Sequence, residues 1–344
     1  MTLTPYDAIM FVSYGGPDGP DDVLPFMRNA TRGRGVPDER LVEVSGHYRL
    51  FGGKSPINER NAELMAALTG RLRDLGINIP VVIGNRNWHP FFAETLAELK
   101  RSGARRVLCL ITSAYASYSG CRQYREDLAR ALDEIGGGLQ LDKIGPFAET
   151  GGFIAANAAA VREALERLPG AHLLFVTHSI PTAMNEASGG DLGSYVAQHE
   201  RVIAEVMASL GAEAPSHELV YCSRSGAPHI PWLEPDVNDR LTELAAQGVK
   251  RVIAVPIGFV NDHMEVVYDL DTEANETAAE QGIDYLRAAT AGVHPELIAS
   301  LVEAILARAE AARSGEGADD QSRYVCPQTC CLPRPGACPQ PAIA

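Results

Sequence analysis

The sequence predicts an α/β protein of two similar doubly wound, Rossmann-like parallel-sheet domains that face each other across a cleft. Three observations lead there. Short runs of Val, Ile and Leu alternate with longer stretches of helical period, the pattern of parallel strands joined by helical crossovers. The 344 residues give room for two cores of ordinary size. The chain also repeats itself: "DAIMFVSYGGP" (7–17) aligns with "AHLLFVTHSIP" (171–181), and "LAELKRSGARRVL" (96–108) with "LTELAAQGVKRVI" (241–253).

Taken in order, strands are expected near 7–13, 79–85, 105–111 and 139–144 in the first half, and near 171–177, 217–222, 250–257 and 283–288 in the second. Helices fill most of the gaps. Ser55 followed by Pro56 reads as an N-cap and first helical residue, opening a helix over 56–75. The last helix spans about 295–313, and the polar stretch "RSGEGADDQSR" reads as a flexible linker. The expected domains are 1–155 with 288–313, then 156–287, followed by a linker and Cys-rich tail over 314–344.

The net charge of −14 argues against nucleic acid or an anionic membrane as partner, since both attract basic surfaces. No segment reaches the ~18 uninterrupted apolar residues of a membrane span, and "MTLTPYDAIMFVSY" lacks the basic start of a secretory leader, so a cytoplasmic location is expected. Cys109, Cys121 and Cys222 are scattered, whereas Cys326, Cys330, Cys331 and Cys338 crowd into 13 residues. In a reducing compartment that crowding points to metal before disulfide.

In open parallel sheets ligands bind beyond the carboxyl ends of the strands. The repeat puts Tyr14 and His178 at equivalent strand exits, facing a ligand from opposite sides. The strand ending "VPIGF" leads to the same rim and into "VNDHMEVVYDLDTEANE", with no Lys or Arg before Arg287. On a regular α-helix Asp262, Glu265, Asp269, Glu273 and Glu276 share a sector of about 80°. Solvated helices usually mix signs, because like charges at i,i+4 cost a few tenths of a kcal/mol. The stripe is therefore expected to collect a divalent cation and pass it inward, with His178 as nitrogen ligand or proton acceptor. An imidazole among carboxylates suits iron(II) or zinc(II).

"FVTHSIP", "PIGFVNDHMEVVYDLDTEA" and "HYRLFGGKSPIN" resemble the signature segments of ferrochelatases, which insert Fe²⁺ into a porphyrin. The resemblance covers residues 5 to about 313. It implies a chelatase-like fold, with His178 and Glu265 as metal-site and catalytic pair and Asp269 and Glu273 as a relay for metal or protons. It also implies that Tyr14, Ser55 and Tyr124 bind the tetrapyrrole. Tyr14, "RNATRGRGVP" and "SGCRQYREDLA" resemble the branch of Gram-positive, actinobacterial enzymes that use coproporphyrin III. The run Arg28, Arg32, Arg34 is the densest basic patch, and Arg32 is the expected contact for the substrate's carboxylates. Coproporphyrin III and Fe²⁺ are then the substrates, with transient contacts to neighbouring enzymes of the haem pathway. Protoporphyrin IX as substrate, another divalent ion as cargo, and a haem or chelate carrier without chemistry are the alternatives.

Several ferrochelatases resemble the tail as well, holding a [2Fe–2S] cluster with C-terminal cysteines and one from the body. The resemblance implies Cys121, Cys330, Cys331 and Cys338 as ligands here. Cys326 is the substitute for Cys330, and Cys222 or Cys109 for Cys121.

Overall fold

The computed structural model describes residues 2–33, 35–211, 214–315 and 326–343. The expected linker therefore lies largely outside the described residues, as does Arg34. Among the described residues eight strands form: β1 (Ala8–Ser13), β2 (Val81–Asn85), β3 (Arg106–Ile111), β4 (Gln140–Lys143), β5 (His172–His178), β6 (His217–Cys222), β7 (Arg251–Val255) and β8 (Asp284–Arg287). Each falls within a few residues of its expected place.

They make two all-parallel sheets, ordered β2-β1-β3-β4 and β6-β5-β7-β8. The second order is the first with every number raised by four, so the sequence repeat is a structural repeat. β1 is buried along its whole length, as a strand covered on both faces must be, which is why it reads as an unbroken apolar run.

The largest core runs through both halves. It joins residues of β1, β3, β5 and β7 to the helices Ile57–Asp74, Gly151–Arg167, Tyr195–Leu210 and Pro295–Ser314. A smaller core lies on the far face of each sheet, under helices Phe92–Arg101 and Gln123–Glu134 in the first half and Val237–Ala246 and Ala274–Glu280 in the second. The Pro295–Ser314 helix packs against Ile57–Asp74 and Gly151–Arg167. The boundary expected at 155/156 falls inside the Gly151–Arg167 helix, because that helix is buried in the shared core and leaves no linker there.

Ser55 caps less than expected. The helix begins at Ile57, whose N–H lies a long 3.5 Å from Ser55 Oγ. Among the described residues no helix is long and apolar enough to cross a membrane.

Candidate active site

The strand register builds the site. His178 ends β5 directly opposite Cys222, the last residue of β6. Ser223 comes next, and it holds a left-handed backbone (φ 60°) that a non-glycine residue seldom adopts. The third strand of this half, β7, leads into "PIGF", where Gly258 passes so close to Thr177 that a Cβ would sit 2.0 Å from its Oγ1. Only glycine lets the chain turn there over the end of β5.

His178 Nδ1 is hydrogen-bonded to the Ser179 carbonyl. A carbonyl can only accept, so Nδ1 carries the proton and the lone pair of the neutral ring is left at Nε2. Nε2 lies 3.7 Å from Glu265 Oε2. Both side chains are partly open, at 31% and 47% exposure, as groups that meet a substrate must be. Beneath them Thr177 Oγ1 is bonded to the Tyr195 hydroxyl (2.6 Å) and to His199 Nε2 (3.0 Å). His199 is held far below the ordinary histidine range, to about 3, by burial, so this support stays neutral.

The acidic segment is not one regular helix. Met264–Tyr268 is α-helical, Asp269–Glu273 is a π-helical turn, and Ala274–Glu280 resumes the α-helix. The wider turn breaks the 100° phase on which the single stripe was drawn. Asp262 leaves the expected track altogether: Arg287 reaches back to bind it at 3.1 Å and Asp271 at 2.5 Å. The next Arg along the sequence is thus an ion-pair partner in space. Asp269 turns inward and accepts the hydroxyl of Ser223. Burial raises its carboxyl to about 7, and the charges of Glu265 and Glu273 push the same way. Glu273, partly buried, bonds the Tyr268 hydroxyl, and Glu276 is exposed.

The opposite wall is aromatic. Tyr14 meets Phe26 edge-on at 6.1 Å, and Phe26 also meets Tyr48 (6.1 Å) and Trp88 (6.5 Å). Tyr48 and Tyr124 lie within electrostatic reach of both Tyr14 and Glu265, and burial pushes both phenols up. Arg86 stands over the Tyr124 ring at 5.6 Å and pairs with Asp127 at 2.7 Å. The walls meet where the His47 ring stacks on Tyr268 at 3.8 Å and where Asn261 Nδ2 donates to Asn61 Oδ1 at 3.2 Å.

Other expected residues are less central. Ser55 is buried (3% exposed) beneath Gly16, where a Cβ would come within 2.7 Å of its own. Arg32 is exposed and bonded to Asn29, while Arg28 is paired with Asp38. His263, Ser223, Arg86 and Tyr48 were missed. His263 stands two residues before Glu265 in the same segment, packs its ring on Phe259 at 5.0 Å and is lowered first by burial, then by nearby His178. That nearness in sequence was the available signal; Ser223 offered none.

The tail docks on the body. Cys121 lies on a second π-helical turn, Tyr118–Arg122, and its thiol touches that of Cys326. Cys326 in turn touches Cys330, and Cys330 Sγ is 3.4 Å from Cys331 Sγ, which accepts the N–H of Gly189 at 3.2 Å. Cys338 is exposed, and Cys326 takes the place expected for it, because the chain enters the body at Cys326 and turns outward after Leu332. Cys109 and Cys222 are buried in the two sheets. Among the described residues no three of His, Cys, Asp or Glu are already gathered as a metal ion needs them. The thiols run in a chain of pairwise contacts, not a closed cage.

A family model described as ferrochelatase matches residues 6–309. A coproporphyrin III ferrochelatase of Streptomyces griseus is 50% identical over 364 residues, covering 99% of this chain and 96% of that protein. A coproporphyrin III ferrochelatase of Streptomyces coelicolor is 49% identical, with 100% and 97% covered. A ferrochelatase of Rhodopirellula baltica is 44% identical, with 97% and 95% covered. Among solved structures, SirB from Bacillus subtilis with Fe³⁺ has a TM-score of 0.51 at 12% identity, covering 91% of this chain and 99% of that one, a likeness of fold alone. With two matched sheets, an imidazole and carboxylates on one rim, and a family match over nearly all of the body, the chain belongs to the ferrochelatase family.

Proposed function

We propose that this chain inserts Fe²⁺ into coproporphyrin III to give its iron chelate in haem biosynthesis. The observation that carries the reading is near-full-length identity of about half to coproporphyrin III ferrochelatases. The site supports it. Insertion removes two pyrrole N–H protons while Fe²⁺ sheds water. His178 Nε2 holds a lone pair toward the cleft and takes a proton, and Glu265 at 3.7 Å stabilises the imidazolium that results. Asp269, poised near neutral pH, and Glu273 exchange with water on the incoming ion and carry protons outward. Tyr14, Tyr48, Trp88 and Tyr124 offer an apolar wall to a flat macrocycle, and in this reading Tyr14 approaches the iron from the other face. Arg32 is the proposed contact for a propionate at the rim, with Ser55 supporting the loop beneath.

The test is anaerobic turnover of coproporphyrin III and protoporphyrin IX side by side, with Fe²⁺. A clear preference for coproporphyrin III is expected; equal or better use of protoporphyrin IX sinks the branch assignment, and no insertion into either favours a carrier.

The tail thiols support a [2Fe–2S] cluster, held by Cys121, Cys326, Cys330 and Cys331. The donor set fits in number and chemistry, since such a cluster needs four thiolates. It would fix the tail to the body and supply no step of insertion. Anaerobically purified protein is expected to hold about two iron and two sulfide per chain, and Cys121→Ser to bleach it. Zinc, or no metal at all, in a fully active preparation removes the cluster and leaves the chelatase standing.

A further inference from the structure

Two buried arginines stand on the turn and helix that carry Cys121. Arg122 and Arg125 are both 0% exposed. Arg122 engages all three guanidinium nitrogens: it donates to Glu126 (2.8 Å), the Gln328 carbonyl (2.6 Å) and the Gln340 carbonyl (2.5 Å). Arg125 donates Nε to the Ile343 carbonyl (2.7 Å) and Nη2 to the Cys326 carbonyl (3.0 Å), but Nη1 is buried without an acceptor among the described residues. A buried N–H left unpaired is destabilising, and more so on a charged group. Lys143, at the end of β4, is 1% exposed. Its charge acts on Cys121 and Cys326, and that of Arg125 on Cys326 and Cys331. Of the acids on this helix, Glu126 is taken by Arg122 and Asp127 by Arg86 and Arg130.

Two buried positive charges thus act on the thiol chain, one of them with a donor that has no acceptor among the described residues. An oxidised [2Fe–2S] unit on four thiolates carries a net charge of about −2 and sulfurs that accept N–H groups. We propose that Arg125 donates Nη1 to a sulfur of the bound cluster and that Lys143 supplies a second counter-charge, so that these two residues set its reduction potential. The proposal rests on the cluster reading above. It separates the two arginines: Arg122 anchors the tail, while Arg125 both anchors it and tunes what the tail encloses.

The experiment uses the full chain purified anaerobically. Iron and sulfide content of the wild type tests the cluster reading first; their absence overturns both ideas. With the cluster present, the midpoint potential is measured for wild type, Arg125→Lys, Arg125→Met and Lys143→Met, alongside protease resistance of the tail. Losing positive charge favours the oxidised form, so Arg125→Met and Lys143→Met are expected to shift the potential to more negative values. Arg125→Lys should stay nearer to wild type with an altered visible circular dichroism spectrum. Loss of iron and sulfide from Lys143→Met with the tail still protected also supports the assignment, because Lys143 holds none of the described tail carbonyls. Potentials equal to wild type in both charge-removing variants, or cluster loss accompanied by release of the tail in Lys143→Met, overturn it.

Discussion

The two halves share one strand order and differ in what stands at the strand exits. The first half places Tyr14 after β1, among Phe26, Tyr48 and Trp88; the second places His178 at the equivalent exit, beside Glu265. Each half also carries a π-helical turn in the segment following its third strand. One presents Cys121 to the tail, and the other turns Asp269 in to Ser223. The backbone plan is thus repeated, while the chemistry is placed where a side chain can change without moving a strand. A flat apolar macrocycle requires one wall without charge, and an incoming dication requires one with it. Building the walls from two copies of one sheet lets each be altered separately.

That division is broken most directly at its centre. His178→Ala is expected to lower insertion by about 10²–10⁴-fold, the usual worth of a placed proton acceptor, with circular dichroism and Tm near wild type because the side chain is part-exposed at a strand end. Near-normal turnover would mean that the acidic wall does not take the proton. Glu265→Gln comes next, with a loss of about 100-fold in kcat and porphyrin affinity retained, read by fluorescence quenching. If porphyrin binding falls in step with kcat, Glu265 belongs to the macrocycle's seat and the walls are not separate.

What the sequence made legible follows the same line. The central strands β1, β3, β5 and β7 are almost wholly buried and show as apolar runs, whereas the edge strands β4 (QLDK) and β8 (DYLR) are mixed and were placed by the alternation of strand and helix. The acidic segment was misdrawn because a π-helical turn has no signature in residue type. A fixed 100° step put Asp262 on a track that Arg287 in fact closes. Ser223 and Asp269 meet across 46 residues, and a left-handed serine cannot be foreseen from its neighbours. In the tail, spacing identified a thiol cluster but not that Cys326 and not Cys338 reaches Cys121. That choice is made by carbonyls bonding Arg122 and Arg125, which the sequence shows only as two basic residues on a helix.

Smaller changes sharpen the comparison. Asp269→Asn with Glu273→Gln is expected to raise KM for Fe²⁺ about tenfold, equivalent to about 1.4 kcal/mol, with less effect on kcat. A silent double variant would make this segment an ordinary solvated surface. Tyr14→Phe should leave insertion within about threefold of wild type, under 1 kcal/mol, while changing the visible spectrum of the bound iron product. An unchanged spectrum would show that the hydroxyl does not meet the metal and that the aromatic wall acts through its apolar face alone.

The smallest expected effect lies in stability, and it isolates the acidic wall without substrate. Asp269 has a carboxyl raised to about 7 by burial and by Glu265 and Glu273, against an ordinary value of 3.8. Below pH 4 the group is protonated whether the chain is folded or not, and contributes no pH dependence. Between pH 4 and 7 the unfolded chain releases the proton while the folded one keeps it, so stability falls as pH rises. Above pH 7 both states are ionised and the cost of the buried charge is complete. Asn at this position keeps an acceptor for Ser223 and carries no charge. Asp269→Asn is therefore expected to match wild type in stability near pH 4 and to exceed it at pH 8, by about 1–2 kcal/mol once solvent screening is allowed for, with a correspondingly higher Tm. Thermal melts of the protein without added Fe²⁺ or porphyrin, from pH 4 to 8, read the difference. A gap that is constant across this range, or reversed at pH 8, would show that Asp269 is as easily ionised as a surface carboxylate and that the acidic wall is tuned by water, not by the π-helical turn that buries it.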